Sequence, residues 1–223
     1  MKNRNQEPAV RDRKPKAAVA HNSAPLLIII SAPSGAGKTT LVNLLLKAQP
    51  RMTRVITCTT RAPRPGERDG VDYHFLTAID FLKRVQAGNF IEHATVFGNS
   101  YGILKSELLD KLRVGQDVLL NVDVQGAATI RSQAGKELEL RRALVTIFLT
   151  APVELLAQRL KKRGADAEAV IQKRLAVARQ EIAQWKNFDY LVISGNKQED
   201  LRRTLAIVEA EKMRSARSVP PEY

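Results

Sequence analysis

The chain of 223 residues holds one cysteine, Cys58, so no disulfide can form within it, and a lone thiol suits a reducing compartment. Long apolar runs are also missing. No stretch approaches the roughly 20 residues a membrane-spanning helix needs, and no apolar segment of a secretory signal follows the charged N-terminus. A cytoplasmic protein without a membrane partner is therefore expected. Internal repeats and low-complexity blocks are absent between the two ends, which argues against repeat architectures. What is present is an ordinary 44% hydrophobic content, at a length that buries a sizeable core in one domain with insertions or in two small ones.

The most informative stretch is residues 26–39, LLIIISAPSGAGKT, a short apolar run feeding a glycine-punctuated loop that ends in Gly37-Lys38-Thr39. A buried strand here delivers the chain to a turn in which Gly35 and Gly37 let successive backbone N–H groups face an anion. Lys38 can then reach β- and γ-phosphates, and the Thr39 hydroxyl can hold Mg²⁺. The following helix, TTLVNLLLKAQ, points its positive end at the same place. Ala32, Pro33, Ser34, Gly35, Ala36, Gly37, Lys38, Thr39 and Thr40 are accordingly the expected phosphate-binding set, with Ala32 replacing the first glycine of the usual pattern; that the phosphates are those of ATP is implied only by the family resemblance given below. A glycine-rich turn that binds nothing is the weaker reading, because Lys and Thr both follow the second glycine.

Basic residues outnumber acidic ones, 36 against 23, for a net charge of +13. The excess is uneven: residues 1–24 carry six basic and two acidic side chains, residues 212–223 three and one, leaving 27 basic against 20 acidic between them. That remainder fits a site gathering two phosphorylated substrates, so nucleic acid is not a required partner. Residues 1–24 read as a disordered basic arm, open to nonspecific polyanion contact, and residues 214–223 as a flexible tail.

Between the ends, β-like and helical segments alternate. Strands are expected over Leu26 to Ile30, Arg54 to Cys58, Asn89 to Val96, DVLLNVDV, ALVTIFL and YLVIS, with an extended Val71 to Phe75 and a loop at FGNSYG. Helices are expected near residues 78–87, 105–114, 126–132, 152–163, 168–185 and 199–213. The pattern predicts an α/β fold, a three-layer core with a parallel sheet covered on both faces by helices. Residues 54–104, rich in short strands and arginine, read as an inserted α+β lobe facing the phosphate loop.

That lobe carries groups suited to a nucleoside monophosphate. Arg61 and Arg64 in TTRAPRPGE can grip phosphate oxygens with paired hydrogen bonds, and the Tyr73 and Tyr101 hydroxyls can add neutral donors. Taken singly, solvated arginines and packed tyrosines explain them as well. Glu92 stands in an otherwise apolar strand; facing a base, its oxygens would accept from guanine N1–H and the 2-amino group and reject adenine. An exposed edge-strand position is the competing reading. Further on, Arg159 and Arg163 precede a Gly164 break and Arg174 follows it, an arrangement able to close over transferred phosphate or simply to solvate a helix. Asp123, ending LLNVDV, can orient Mg²⁺ through water or cap the next helix.

The segments SAPSGAGKTT, TTRAPRPGERDGVDYHF, FIEHATVFGNSYG, NVDVQGA, RLKKRG and KRL stand in the order and spacing of the guanylate kinases, which the chain resembles over about residues 26 to 213. The resemblance implies a P-loop core (residues 25–53, 105–157 and 187–213), a GMP-binding lobe (54–104) and a helical lid (158–186). It implies ATP-dependent phosphorylation of GMP, and of dGMP, with Mg²⁺ as cofactor and no covalent enzyme intermediate. By motif position Lys38, Arg163 and Arg174 would be catalytic, Thr57, Arg61, Arg64, Tyr73, Glu92, Tyr101 and Asp123 would bind GMP, and Thr39 would hold the metal. Three positions depart from the family pattern: Ile103 where Thr or Ser reads guanine O6, Asn121 where an acid precedes VD, and Ser194 where Asn contacts adenine. Another monophosphate kinase and a noncatalytic binding domain are the alternatives, the second disfavoured by the intact Gly37-Lys38-Thr39.

Overall fold

The computed structural model describes residues 23–96, 98–162 and 168–218. The expected catalytic Arg163 and the Gly164 break lie outside the described residues.

The apolar run opens the core as β1 (Leu27–Ser31), buried at every position. It feeds α1 (Lys38–Ala48), which turns Leu41, Val42 and Leu45 inward. Of the β run expected over residues 54–58 only Thr57 and Cys58 are strand, in β3 (Thr57–Thr59), which belongs to a second sheet, while β2 (Met52–Thr53) precedes the run and joins the core sheet. The inserted lobe adds β4 (His74–Phe75), α2 (Ala78–Gln86), β5 (Phe90–Val96) and β6 (Asn99–Leu104). After it come α3 (Lys105–Arg113), β7 (Asp117–Asn121), α4 (Val124–Lys136), α5 (Leu138–Ala143) and β8 (Leu144–Thr150). The last elements are α6 (Val153–Lys162), α7 (Glu168–Ile182), a 3₁₀ turn at Trp185–Asn187, β9 (Tyr190–Ile193) and α8 (Lys197–Lys212).

The core sheet is parallel throughout, in the order β2-β7-β1-β8-β9. Alternation along β1 splits the interior in two. Ile28 and Ile30 pack beneath α1, α6, α7 and α8, whereas Leu27 and Ile29 pack beneath α3, α4 and α5. Burying one such side chain contributes about 1.5–3 kcal/mol, so β1 alone anchors both helical layers. The carboxyl ends of β1 and β7 leave the crevice where ligands bind in open parallel sheets.

The second sheet has the order β4-β3-β6-β5. FGNSYG, expected as a loop, instead contains a turn at Gly98 (φ 78°) and the start of β6, which pairs antiparallel with β5 and β3. Asn, Ser and Gly favour turns locally, but pairing on both sides outweighs that preference. Gly102 is required there, since a Cβ would meet the Phe90 ring at 2.8 Å. Between Phe90 and Glu92 the register of β5 shifts by one residue, so Glu92 rather than Ile91 lies opposite Ile103. Such a bulge re-aims a side chain.

Other boundaries moved for simple reasons. The Val71 to Phe75 strand shrinks to β4 because turns occupy residues 71–72. The helix expected over residues 126–132 starts at Val124 and runs to Lys136, capped by Asp123 and buried through Ala127, Ile130 and Ala134. α5 was not expected, and the helix expected to residue 185 ends at Ile182.

The tail expected to run free from residue 214 is docked as far as Ser218. Arg217 donates to the Arg142 carbonyl at 2.9 Å and the Leu144 carbonyl at 3.1 Å and pairs with buried Glu211. Ser23 bridges Ser218, so the last residues of the expected arm are also placed. A charged residue makes this contact, and hydrophobic periodicity does not reveal it. Among the described residues no helix is long and apolar enough to cross a membrane.

Candidate active site

The phosphate loop owes its shape to two glycines with positive φ. Gly35 sits at φ 89° and Gly37 at φ 98°, the latter as the residue that starts α1. L side chains resist that region, and at Gly35 a Cβ would also lie 3.2 Å from the Leu156 carbonyl oxygen. Lys38 donates from Nζ to the Val122 carbonyl at 3.1 Å. Burial lowers the pKa of its ammonium, while Asp123 and Glu181 oppose that shift.

Two spaces of about 490 Å³ each flank the loop. One is lined by Ala32, Pro33, Ser34, Lys38, Thr39 and Asp123, and by one face of α7 carrying Lys173, Arg174 and Glu181. The other lies outside the loop, between Ala36, Thr40 and Leu44 on one side and Ser194, Asn196 and Lys197 on the other. Gly35 and Gly37 border both, as a loop threaded between a nucleoside and its phosphates would.

Arg159, for which closing over phosphate and solvating a helix face were both open, pins the loop instead. Its guanidinium donates to the Ala36 carbonyl at 3.0 Å, the Ser194 hydroxyl at 3.1 Å and the Gly195 carbonyl at 3.1 Å. Ser194 in turn donates to buried Asp200 at 2.7 Å. The hydroxyl is thus committed inward.

On the facing lobe Arg61, Tyr73 and Tyr101 come together. The Arg61 guanidinium stands 5.2 Å from the Tyr73 ring centre, and the two tyrosine rings meet edge-on at 6.4 Å. Arg61 is held by both carboxylate oxygens of Glu67, at 2.9 and 3.0 Å. Arg64 remains exposed and gives its backbone N–H to the same carboxylate at 2.7 Å. Glu67 was not singled out in the sequence, although it stands in the same PRPGE turn.

Three strands deliver the next row. Thr57 on β3 and Glu92 on β5 both pair with Ile103 on β6, and directly paired residues share a face. Ile103 is 6% exposed and packs with Val55, Ile91 and Leu108. Glu92 folds over the start of α4, where a Cβ on Gly126 would lie 3.3 Å from its carboxylate. Burial pushes the Glu92 pKa up to about 7, and Asp123 adds to the shift. Asp123 caps α4 by accepting from the Gly126 N–H at 2.8 Å, so the capping reading holds, and it also lines the phosphate cleft.

Glu181 was missed as well. It lies seven residues beyond Arg174, two helical turns along the same face, and that spacing was the available signal. Burial raises its pKa, offset in part by Lys38, with Asp123 adding to the rise and the Ser34 N–H opposing it.

Known proteins provide an independent comparison. The model of the guanylate kinase family matches residues 25–211. The chain is 46% identical to the guanylate kinase of Alcanivorax borkumensis over 194 residues, covering 86% of this chain and 90% of that one. It is 45% identical to the guanylate kinase of Coxiella burnetii, over 84% of this chain and 88% of that one. The crystal structure of guanylate kinase from Anaplasma phagocytophilum superimposes with a TM-score of 0.67 at 31% identity, over 89% of this chain and 92% of that one. A family match over most of the length, joined to a phosphate loop with Lys38 in place, means that the chain belongs to the guanylate kinase family.

Proposed function

We propose that this protein transfers the γ-phosphoryl group of ATP to GMP, and to dGMP, giving ADP and the nucleoside diphosphate. The observation that carries the reading is the meeting of two sites at the start of α4: Asp123 lines one cleft with Lys38 of the phosphate loop and accepts from the Gly126 N–H at 2.8 Å, and the Glu92 carboxylate of the facing lobe lies over that same Gly126. A donor held by the loop and a base held by Glu92 would therefore present their phosphates to each other across one cleft.

In that cleft a GMP phosphate oxygen attacks the γ-phosphorus as the bond to the ADP oxygen breaks, with no covalent enzyme intermediate. Lys38, Arg174 and Arg163 are assigned to the charge spreading over the transferred group, Arg61, Arg64, Tyr73 and Tyr101 to the GMP phosphate, and Thr57 and Glu92 to guanine. Glu67 must yield Arg61 to the incoming phosphate. The Thr39 hydroxyl and the Asp123 carboxylate are hard oxygen donors on the same cleft and fit Mg²⁺, which takes one or two protein ligands beside phosphate oxygens. When bound, Mg²⁺ neutralises charge on the β- and γ-phosphates. Residues 158–186 would act as the lid and residues 54–104 as the acceptor lobe, closing to keep water from competing as acceptor. A cytoplasmic setting matches such substrates.

A coupled ADP assay with GMP, dGMP, AMP, UMP and CMP tests the proposal. Turnover with GMP and dGMP alone, abolished in a folded Lys38→Ala variant, is expected. Preference for another monophosphate, or near-normal turnover without Lys38, sinks it.

A further inference from the structure

The space of about 490 Å³ on the outer side of the phosphate loop has the size of a small-molecule site, and one wall of it has its polar groups committed to one another. The Ser194 hydroxyl accepts from Arg159 at 3.1 Å and donates to Asp200 at 2.7 Å. The Gly195 carbonyl accepts from the same guanidinium at 3.1 Å, and the Gly195 N–H donates to the other Asp200 oxygen at 3.2 Å. Ser194 and Asp200 are 3% and 7% exposed, so the network is fixed behind the wall. Leu41 and Leu44 make the opposite side apolar. A site rejects the wrong base strongly when it holds fixed polar groups that this base would leave unpaired. Among the described residues of this wall, those groups already have partners in the protein. What reaches the space is a rim of exposed side chains: Lys162 at the end of α6, and Asn196, Lys197 and Gln198 where α8 begins. Asn196 is half committed, accepting from the Glu199 N–H at 2.9 Å as the cap of α8. The others carry the chemistry of both purines. A lysine suits the O6 and N7 acceptors of guanine, and a glutamine amide suits N6 and N7 of adenine.

We propose that this space takes the base of GTP as well as that of ATP, so that the chain has a second activity, GTP:GMP phosphotransfer yielding two molecules of GDP. The inference rests on the reading of the loop as the site of the donor triphosphate. Lys162 and Lys197 recognise O6 and N7 of a donor guanine, and Gln198 serves adenine at the same rim. The chemistry is that of the proposed transfer: an oxygen of the GMP phosphate bonds to the γ-phosphorus of GTP as the bond from that phosphorus to the bridging oxygen breaks. The electron pair stays on the leaving GDP, and no further reactant is needed. Acceptor choice is untouched, because Thr57 and Glu92 stand on the facing lobe, away from these residues.

The test uses the full chain with Mg²⁺, unlabelled GMP, and either ATP or GTP radiolabelled on the γ-phosphate, with labelled GDP measured by chromatography. The kcat/KM for GTP should lie within about tenfold of that for ATP, whereas a base read by fixed buried groups is rejected by roughly 10⁴-fold. A GTP value further below that for ATP overturns the inference and leaves the function intact; no transfer from either donor overturns both. The reverse direction gives a second measurement with one nucleotide. GDP alone should disproportionate into equal amounts of GTP and GMP, a product pair that a contaminating diphosphate kinase would not make. GDP left unchanged, in a preparation that converts ADP and GDP to ATP and GMP, overturns the inference. Lys162→Gln combined with Lys197→Gln should lower the GTP-to-ATP ratio of kcat/KM by roughly fivefold or more, through loss of charged donors at O6 and N7. A merely structural role for the two lysines would move both donors together, and an unmoved ratio overturns the inference.

Discussion

Arg159 holds the Ala36 carbonyl oxygen at 3.0 Å on the outer side of the phosphate loop. A trans peptide is planar, so fixing that oxygen outward fixes the Gly37 N–H in the opposite direction, toward the phosphate cleft. The arginine thereby sets the loop from behind without touching phosphate. Replacing it by Met keeps much of the stem and removes three donors. Charge-assisted bonds of this kind are worth about 1.5–3 kcal/mol, so KM for ATP should rise by roughly 10- to 100-fold. KM for GMP should stay within about twofold. Steady-state kinetics with each substrate varied checks this, and a KM for ATP near the wild-type value would show that the loop holds itself.

Glu92 makes GMP binding depend on pH. Its folded pKa stands near 7, above the ordinary value of 4.5, because burial and Asp123 disfavour the charge. Between those values the folded protein keeps a proton that the unfolded chain releases, so this group's contribution to stability falls as pH rises through the window. Guanine N1–H and its 2-amino group need the carboxylate, and binding must expel the proton. KM for GMP should therefore fall as pH rises from roughly 6 to 8. Calorimetry in two buffers of different ionisation enthalpy should detect proton release with the wild type and much less with Glu92→Gln. Equal heats in both buffers would place Glu92 away from the base.

The parts of this site legible in the sequence are those set by local chemistry. The phosphate loop needs glycines, Lys38 and Thr39 within a few residues, and β1 announces itself as a continuous apolar run. What escaped depends on pairings distant in the chain. The extra residue in β5 that turns Glu92 toward α4 is set by register with β6, and no letter marks it. Arg217 docks on carbonyls more than 70 residues away, and Arg159 reaches back 123 residues to Ala36. Glu181 was closest to being readable, since Arg174 predicts its helix face. Its meaning still required the loop that faces it.

Gly126 is tuned to Glu92 rather than to its helix. In the first turn of α4 alanine would ordinarily still be the better helix former, by at most about 1 kcal/mol. Here the added Cβ would lie 3.2 Å from Val122 Cβ and 3.3 Å from the Glu92 carboxylate, tighter than ordinary contact. Glu92 must shift by a few tenths of an ångström. Gly126→Ala should keep or slightly raise the melting temperature while raising KM for GMP by roughly fivefold or more. Thermal denaturation and GMP kinetics on one preparation decide it. A variant with unaltered GMP kinetics would mean that the carboxylate has slack in its seat.

Ile103 is the departure whose consequence the structure sharpens most. It lies between Thr57 and Glu92 in one cross-strand row, but its side chain is 6% exposed and packs with Ile91 and Leu108. Ile103→Thr would place a hydroxyl where O6 of a guanine held by Glu92 has no donor from this position. It would also leave that hydroxyl among apolar neighbours until GMP arrives. The two effects have opposite signs and separate observables. Stability should fall by about 1–3 kcal/mol for a buried, unpartnered hydroxyl, measured by urea denaturation. KM for GMP should fall roughly threefold to tenfold as the hydroxyl finds its acceptor. Ile103→Val, which trims volume without adding a donor, should share part of the stability loss and none of the gain in affinity. If Thr and Val behave alike toward GMP, a backbone group or water already serves O6, and Ile103 is a packing residue alone.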